Sequence, residues 1–194
     1  MAPESSAPER VGTVVSINLS EKKTMRKTRF ERGTLVLDRG FEDDAHAGDW
    51  HRQVSLLAIE SIEEMQAKGL DVGPGDFAEN ITTSGVDVMT LPVGSVITIG
   101  DAVVLEVSQI GKVCHNKCAI YYQAGDCVMP REGIFAVVRV PGEIVAGDRI
   151  EVVELGDGRC DRSPEDSLET SEQVRASNEC NKLAKDRIEG GTGA

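Results

Sequence analysis

Apolar residues in this chain come in short β-branched runs separated by glycine, proline and aspartate. Val11–Ile17, Gly33–Leu37, Gln53–Leu57, Ser95–Ile99, Val103–Val107, Ile134–Val140 and Arg149–Val153 each read as a strand of about five to seven residues. Gly94, Gly100-Asp101, Pro141-Gly142 and Gly147-Asp148 supply the turns between them. One stretch changes period. Ala58 to Lys68 places Ile59, Ile62 and Met65 on one stripe with acids opposite, and Gly69 follows as a C-cap, so this run is predicted to be a helix. Asn116 to Ala124, stopped by Gly125, reads as a second short helix, although its two tyrosines also suit a strand. Many short strands with few helices imply a barrel or sandwich rather than a parallel α/β sheet.

The two ends differ in texture. Residues 1–10 are rich in Pro, Ser and Glu and are expected to be a disordered tail. The folded domain is expected over 11–154. Residues 155–194 are acidic, lack aromatics and end in Gly-Gly-Thr-Gly-Ala, and are expected to be mostly disordered. The spacing of Ala176, Cys180, Leu183, Ala184 and Ile188 also allows an amphipathic helix near Ser171–Ile188. Cys160 and Cys180, in this segment, read as incidental.

Composition narrows the class. Aromatics are only 4% of 194 residues, so Val, Ile and Leu must build the core. A net charge of −12 argues against nucleic acid or an anionic membrane as partner, since both need a basic face. No apolar run is long enough to span a bilayer, and the first ten residues carry no hydrophobic signal segment. Five cysteines without such a signal suit a reducing cytoplasm better than a disulfide framework.

Three of those cysteines, Cys114, Cys118 and Cys127, fall within fourteen residues together with His115. The thiolate is the nucleophile and the ligand, and Lys112, Lys117 and Arg131 would favour it over the thiol. The plainer alternative is a set of buried, inert cysteines. Zinc held by Cys114, Cys118 and Cys127 with His115 or His51 is another reading, but C-x3-C-x8-C is not the paired spacing of a zinc knuckle. A redox disulfide lacks a supporting βαβ pattern.

Four blocks together resemble a known family. They are G-F-E-D-D-A-H-A-G-D-W-H-R-Q-V-S-L-L (Gly40–Leu57), G-D-F-A-E-N-I-T-T-S-G-V (Gly75–Val86), L-P-V-G-S-V-I-T-I-G-D-A-V-V-L-E-V-S-Q (Leu91–Gln109), and R-E-G-I-F-A-V-V-R-V-P-G-E-I-V-A-G-D-R-I (Arg131–Ile150). In this order and spacing they resemble the MOSC domain, named for the C-terminal part of molybdenum cofactor sulfurases. The family often has Gly where this chain has Asp43 and Ala78, so the local backbone at both points is open to question.

The resemblance implies a closed, mostly antiparallel β-barrel with a few peripheral helices. It also implies a site around one cysteine, Cys114, linked to molybdenum cofactor (molybdopterin). That residue would carry or deliver sulfur as a persulfide, or ligate molybdenum. No pyridoxal phosphate is expected, because the aminotransferase-like domain of the full sulfurases has no counterpart here. Arg52 suits the anionic phosphate of a pterin, with Lys112 and Arg131 as further candidates. Glu79, Asn80, Thr82 and Thr83 could read pterin edges or form an ordinary turn. His46 and His51, flanking Trp50 in the loop-like stretch A-H-A-G-D-W-H, are either acid/base candidates or plain exposed loop residues. Three classes follow: a sulfur carrier or cofactor-handling protein partnered by a cysteine desulfurase or a molybdoenzyme; a molybdenum-dependent oxidoreductase reducing N-hydroxylated compounds with an external electron-transfer partner; and a non-catalytic scaffold.

Overall fold

A computed structural model describes residues 10–23, 25–112 and 127–162. Cys114, His115, Cys118 and the expected helices at 116–124 and 171–188 lie outside these residues.

Among the described residues, eleven strands and two helices succeed one another. They are β1 (Val11–Leu19), β2 (Thr28–Phe30), β3 (Arg32–Val36), β4 (Gly40–Phe41), β5 (Val54–Ala58), α1 (Ile59–Ala67), β6 (Ile81–Ser84), β7 (Val96–Ile99), β8 (Val103–Ile110), α2 (Met129–Glu132), β9 (Ile134–Val140), β10 (Gly142–Val145) and β11 (Arg149–Glu154). A 3-10 turn, Val88–Thr90, precedes β7. Strand order β11-β7-β8-β9-β5-β6-β1, with β11 pairing back onto β1, closes seven strands into a barrel. β10, β3 and β4 form a separate small sheet. All seven predicted strands and the first predicted helix are present, and the barrel expected from the resemblance is the observed architecture.

Among the described strands, only β5 and β6 pair in parallel. A parallel neighbour needs a crossover too long for a hairpin, and α1 lies in it. α1 buries Ile62 and Met65 against Leu57, Phe77, Val128, Met129 and Phe135, forming a second apolar cluster outside the barrel wall. The barrel interior is filled by Val14, Ile17, Leu56, Ile81, Ile97, Ile99, Leu105, Val107, Ile134 and Val138, with Phe41 as the one fully buried aromatic among the described residues. Full burial of each such aliphatic contributes about 1.5–3 kcal/mol, which is how a chain so poor in aromatics sustains a core.

β1 carries an irregularity that decides where its polar side chains go. Its register with β6 shifts between Val14 and Ser16. One extra residue reverses the parity of the strand, so Val14 and Ile17, three apart, both join the core. Ser16 and Asn18 consequently share the opposite face, where they meet Thr82 of β6.

Candidate functional site

Ser16, Asn18 and Thr82 are fully or nearly fully buried, although they lie outside the apolar interior. The Gly75–Asn80 turn covers them. Gly75 has φ +92°, and a Cβ there would sit 2.5 Å from the Lys27 carbonyl oxygen. Glycine therefore lets this turn lie directly on the segment before β2, where Lys27 donates its backbone N–H to the Gly75 carbonyl (3.0 Å). Glu79 Oε1 accepts from Gly75 N–H (2.5 Å), Thr82 Oγ1 (2.9 Å) and Asn18 Nδ2 (3.5 Å). Its other oxygen, Oε2, is buried without a hydrogen-bond partner among the described residues. Burial pushes the Glu79 carboxyl above its ordinary pKa, against the opposing bonds from Gly75 and Thr82.

Asn80 is held on several sides. Its Oδ1 accepts from Ser55 N–H (3.1 Å) and Ser55 Oγ (3.0 Å), while Nδ2 donates to the Asn18 carbonyl (3.3 Å) and to Asp44 Oδ2 (2.9 Å). Asp44 is the hub. It pairs with Lys27 Nζ at 2.5 Å, both side chains only 1% exposed, and accepts from Ser20 N–H (3.1 Å) and Ser20 Oγ (3.3 Å). His46 Nδ1 stands 3.8 Å from Asp44 Oδ1, an electrostatic rather than a hydrogen-bonding distance. Burial disfavours the Asp44 carboxylate, but His46, the Lys27 charge and the bonds from Lys27 and Asn80 outweigh it and hold the carboxyl well below its usual range. Lys27 moves the other way. Burial lowers its pKa, Asp44 and Glu79 pull it back, and the nearby Lys112 charge lowers it further.

The fold thus gathers five of the sequence candidates, His46, Glu79, Asn80, Thr82 and Lys112, around Lys27 and Asp44. The other candidates have different company. Arg52 lies over Trp50, its guanidinium carbon 4.8 Å from the ring centroid, and 5.8 Å from that of Phe135. Arg131 on α2 faces Glu132 at 3.8 Å. Thr83 is buried, its hydroxyl unpartnered among the described residues. His51 is not in an exposed loop. It is buried, with Nε2 2.8 Å from Gln109 Oε1, and Gln109 Nε2 donates to the Gly111 carbonyl (2.6 Å), so His51 Nε2 carries the proton. Cys127 packs in the second apolar cluster beside Leu57 and Val128.

Lys27 and Asp44 escaped the sequence reading. Lys27 is one of six bases between Lys22 and Arg32, and nothing in that run marks it as the buried one. Asp44 lies within the first family-like block but beside Glu42 and Asp43, so it reads as one surface acid among several.

Comparison with known proteins settles the family. The family model of the MOSC domain matches residues 43–151, more than half the chain. This chain belongs to the MOSC domain family. Among solved structures, the YUAD protein from Bacillus subtilis is similar at 20% identity and a TM-score of 0.64, covering 73% of this chain and 95% of its own. YiiM from Geobacillus stearothermophilus gives 19% identity and 0.57, covering 91% of this chain and 99% of its own. YiiM from Escherichia coli gives 16% and 0.54, covering 92% and 94%. At these identities the likeness to the solved structures is one of fold. No curated protein matches. Within this MOSC domain, the match takes in Asp44, His46, Arg52, Glu79, Asn80, Thr82 and Lys112, while Lys27 lies before it. No described helix is long and apolar enough to cross a membrane.

Proposed function

We propose that this MOSC domain binds molybdenum cofactor, or a derivative of it, against the polar group at the Glu79–Asn80 turn, and handles its terminal sulfur through Cys114. One observation carries the reading. Lys112, two residues before Cys114, lies in electrostatic reach of Lys27, whose partner Asp44 is bonded by Asn80. Chain connectivity alone keeps the Cys114 Cα within about 8 Å of that of Lys112.

The residues fit the group on two counts. Lys112 offers positive charge beside the polar group to an anionic phosphate, and Arg52, its guanidinium carbon 4.8 Å from the Trp50 ring centroid, is a further candidate whose planar fork suits bidentate binding. Glu79 Oε2 is a buried oxygen lacking a partner among the described residues, and the N–H edge of a pterin would supply one. When bound, the cofactor would supply a molybdenum dithiolene that accepts sulfur and thiolate ligands. Asn80, bonded to Ser55, Asn18 and Asp44, would hold the wall of the site rigid.

As a carrier, the Cys114 thiolate attacks the outer sulfur of a persulfide on a cysteine desulfurase. The donor's S–S bond breaks, its thiolate leaves, and the sulfane sulfur remains on Cys114 for delivery to a molybdoenzyme's cofactor. Positive charge at Lys112 would raise the thiolate fraction, which for an unperturbed cysteine of pKa about 8.5 is only a few per cent at neutral pH. A second reading has one observation in its favour. Burial keeps Glu79 protonated to higher pH, and reductive cleavage of an N–OH bond consumes two protons along with two electrons from an external donor.

The test is elemental analysis with pterin fluorescence on protein made where molybdenum cofactor is synthesised, wild type against Cys114→Ser, alongside the mass of the Cys114 peptide after incubation with a cysteine desulfurase and cysteine. One added sulfur on that peptide supports the carrier. Retained molybdenum and pterin, weakened in Cys114→Ser, support the oxidoreductase. An unmodified peptide with neither molybdenum nor pterin refutes both, and zinc in their place overturns the assignment.

A further inference from the structure

After β11 the chain turns back across the barrel. Gly156 donates its N–H to Ser95 Oγ (3.0 Å), and Gly158 donates to the Val93 carbonyl (3.0 Å). Glycine is required on both sides of this crossing. A Cβ on Gly156 would strike the Val93 carbonyl and the Gly94–Ser95 peptide, and one on Gly94 (φ +88°) would strike the Arg159 carbonyl. Backbone therefore rests on backbone. Cys160, half-buried, packs against the barrel's apolar cluster. Arg139 of β9 then bridges Glu106 of β8 (2.7 Å) and Asp161. The crossing ends at Arg162, whose guanidinium joins Asp38 in the β3–β4 turn (3.0 Å) and Asp49 in the β4–β5 loop.

We infer that residues 155–162 are a latch and that Arg162 is a positioning residue, fastening the 42–53 loop to the barrel from a segment beyond the family's matched residues. That loop carries Asp44, His46 and Arg52. It is tied to the body at Asp44 and, by backbone bonds, from Ala45 N–H to the Ser20 carbonyl and from Gly48 N–H to the Arg39 carbonyl. At Asp49, largely exposed, it reaches solvent and Arg162 grips it there. Beyond that point the buried His51, facing Gln109 and accepting from Ser108 Oγ at its carbonyl, and Gln53, accepting from Val138 N–H, return it to the body. An isolated exposed ion pair is weak. Here one planar guanidinium spans two carboxylates on separate segments and is itself anchored by the glycine crossing and the Arg139 bridge. The energy is local. It orders a loop and leaves the cooperative unfolding of the barrel nearly untouched. The consequence for ligand binding rests on the function proposed above; the latch itself does not.

Trp50 is the only tryptophan in the chain and follows Asp49 directly, so it reports on the loop without any cofactor. Acrylamide quenching of its fluorescence and hydrogen exchange of the 42–53 peptides would be measured on the full chain for wild type, Arg162→Ala, Arg162→Lys and Asp38→Asn. Arg162→Ala is expected to speed exchange in the loop by roughly threefold to tenfold, to raise quenching, and to leave the thermal midpoint unchanged. Arg162→Lys keeps the charge but loses the fork and should restore part of the protection. Asp38→Asn, which leaves Trp50's sequence neighbours intact, should fall between. Unchanged exchange and quenching in Arg162→Ala overturns the proposal. So does faster exchange spread evenly over the barrel with a lowered midpoint, because Arg162 would then be a general stabiliser. Since no arm needs bound molybdenum, failure of the latch is distinguishable from failure of the cofactor reading.

Discussion

Ala78 adopts φ +65°, in the left-handed region, inside the turn that presents Glu79 and Asn80. A side chain with a Cβ loses about 1–2 kcal/mol in that conformation through contact with the following carbonyl. Ala78→Gly removes the contact. Against it stands the added freedom of glycine in the unfolded chain, about 0.4–1 kcal/mol, and the loss of a half-buried methyl. The balance is a stabilisation of about 0.5 kcal/mol, with an upper bound near 1. Urea unfolding followed by far-UV circular dichroism is the assay, and with a slope of about 2 kcal/mol/M the midpoint should rise by about 0.2–0.5 M. Gly75→Ala is the internal control. It sits three residues earlier at φ +92°, and its new Cβ would press to 2.5 Å on the Lys27 carbonyl oxygen. It should therefore destabilise, through strain and overpacking together, by about 2–4 kcal/mol. A lowered midpoint for Ala78→Gly at unchanged slope would refute the reasoning, because it would mean that the alanine methyl contributes more than its backbone strain costs.

Asp44→Asn should cost about 3–5 kcal/mol by leaving the Lys27 ammonium buried without a counter-charge, and Lys27→Met in the same chain should recover much of it, as denaturant midpoints would show. Because the folded pKa of Asp44 is depressed, its contribution is present above the unfolded carboxylate value and lost as pH falls through the folded one, so Asp44→Asn should flatten the acid limb of stability against pH. Glu79 has the opposite sign. Its raised folded pKa means stability lost as pH climbs through that value, so Glu79→Gln should gain relative to wild type as pH increases, and a difference independent of pH would contradict the burial argument. The Cys160 thiol, pushed up to about 11 by burial, should alkylate at pH 7.5 far more slowly in the folded protein than after denaturation, as peptide mapping with iodoacetamide would reveal.

Strands β1, β3, β5, β7, β8, β9 and β11 were legible because they are short, largely apolar runs, most of them β-branched and bounded by turn residues. Those missed lack that contrast. β6, Ile81–Ser84, carries three hydroxyl residues in four, because one of its faces meets the polar group rather than a core. β10 begins at Gly142, straight after Pro141, and its first residues read as a turn. β4 is only two residues long, too short for any period. In the site, Glu79, Asn80 and Thr82 could be found because they fall in one contiguous family-like block. Lys27 and Asp44 could not, since the burial that gives each its importance comes from segments distant in sequence.

What the sequence by itself determined is the class of the molecule: short strands built on Val, Ile and Leu, interrupted by one clear helix, with four blocks whose resemblance to the MOSC domain implied the closed barrel. Local preference and period are properties of short stretches, so one strand of text suffices to read them. Tertiary structure decided which polar residues matter. A bulge in β1 turned Ser16 and Asn18 onto the face shared with Thr82, a glycine turn sealed that face, and the seal excluded water from Lys27 and Asp44. The same two charges at the surface would interact weakly. Removed from solvent and held at 2.5 Å, they bind each other and each favours the charged form of the other, because the strength of a charge depends on its surroundings and only the folded chain supplies those.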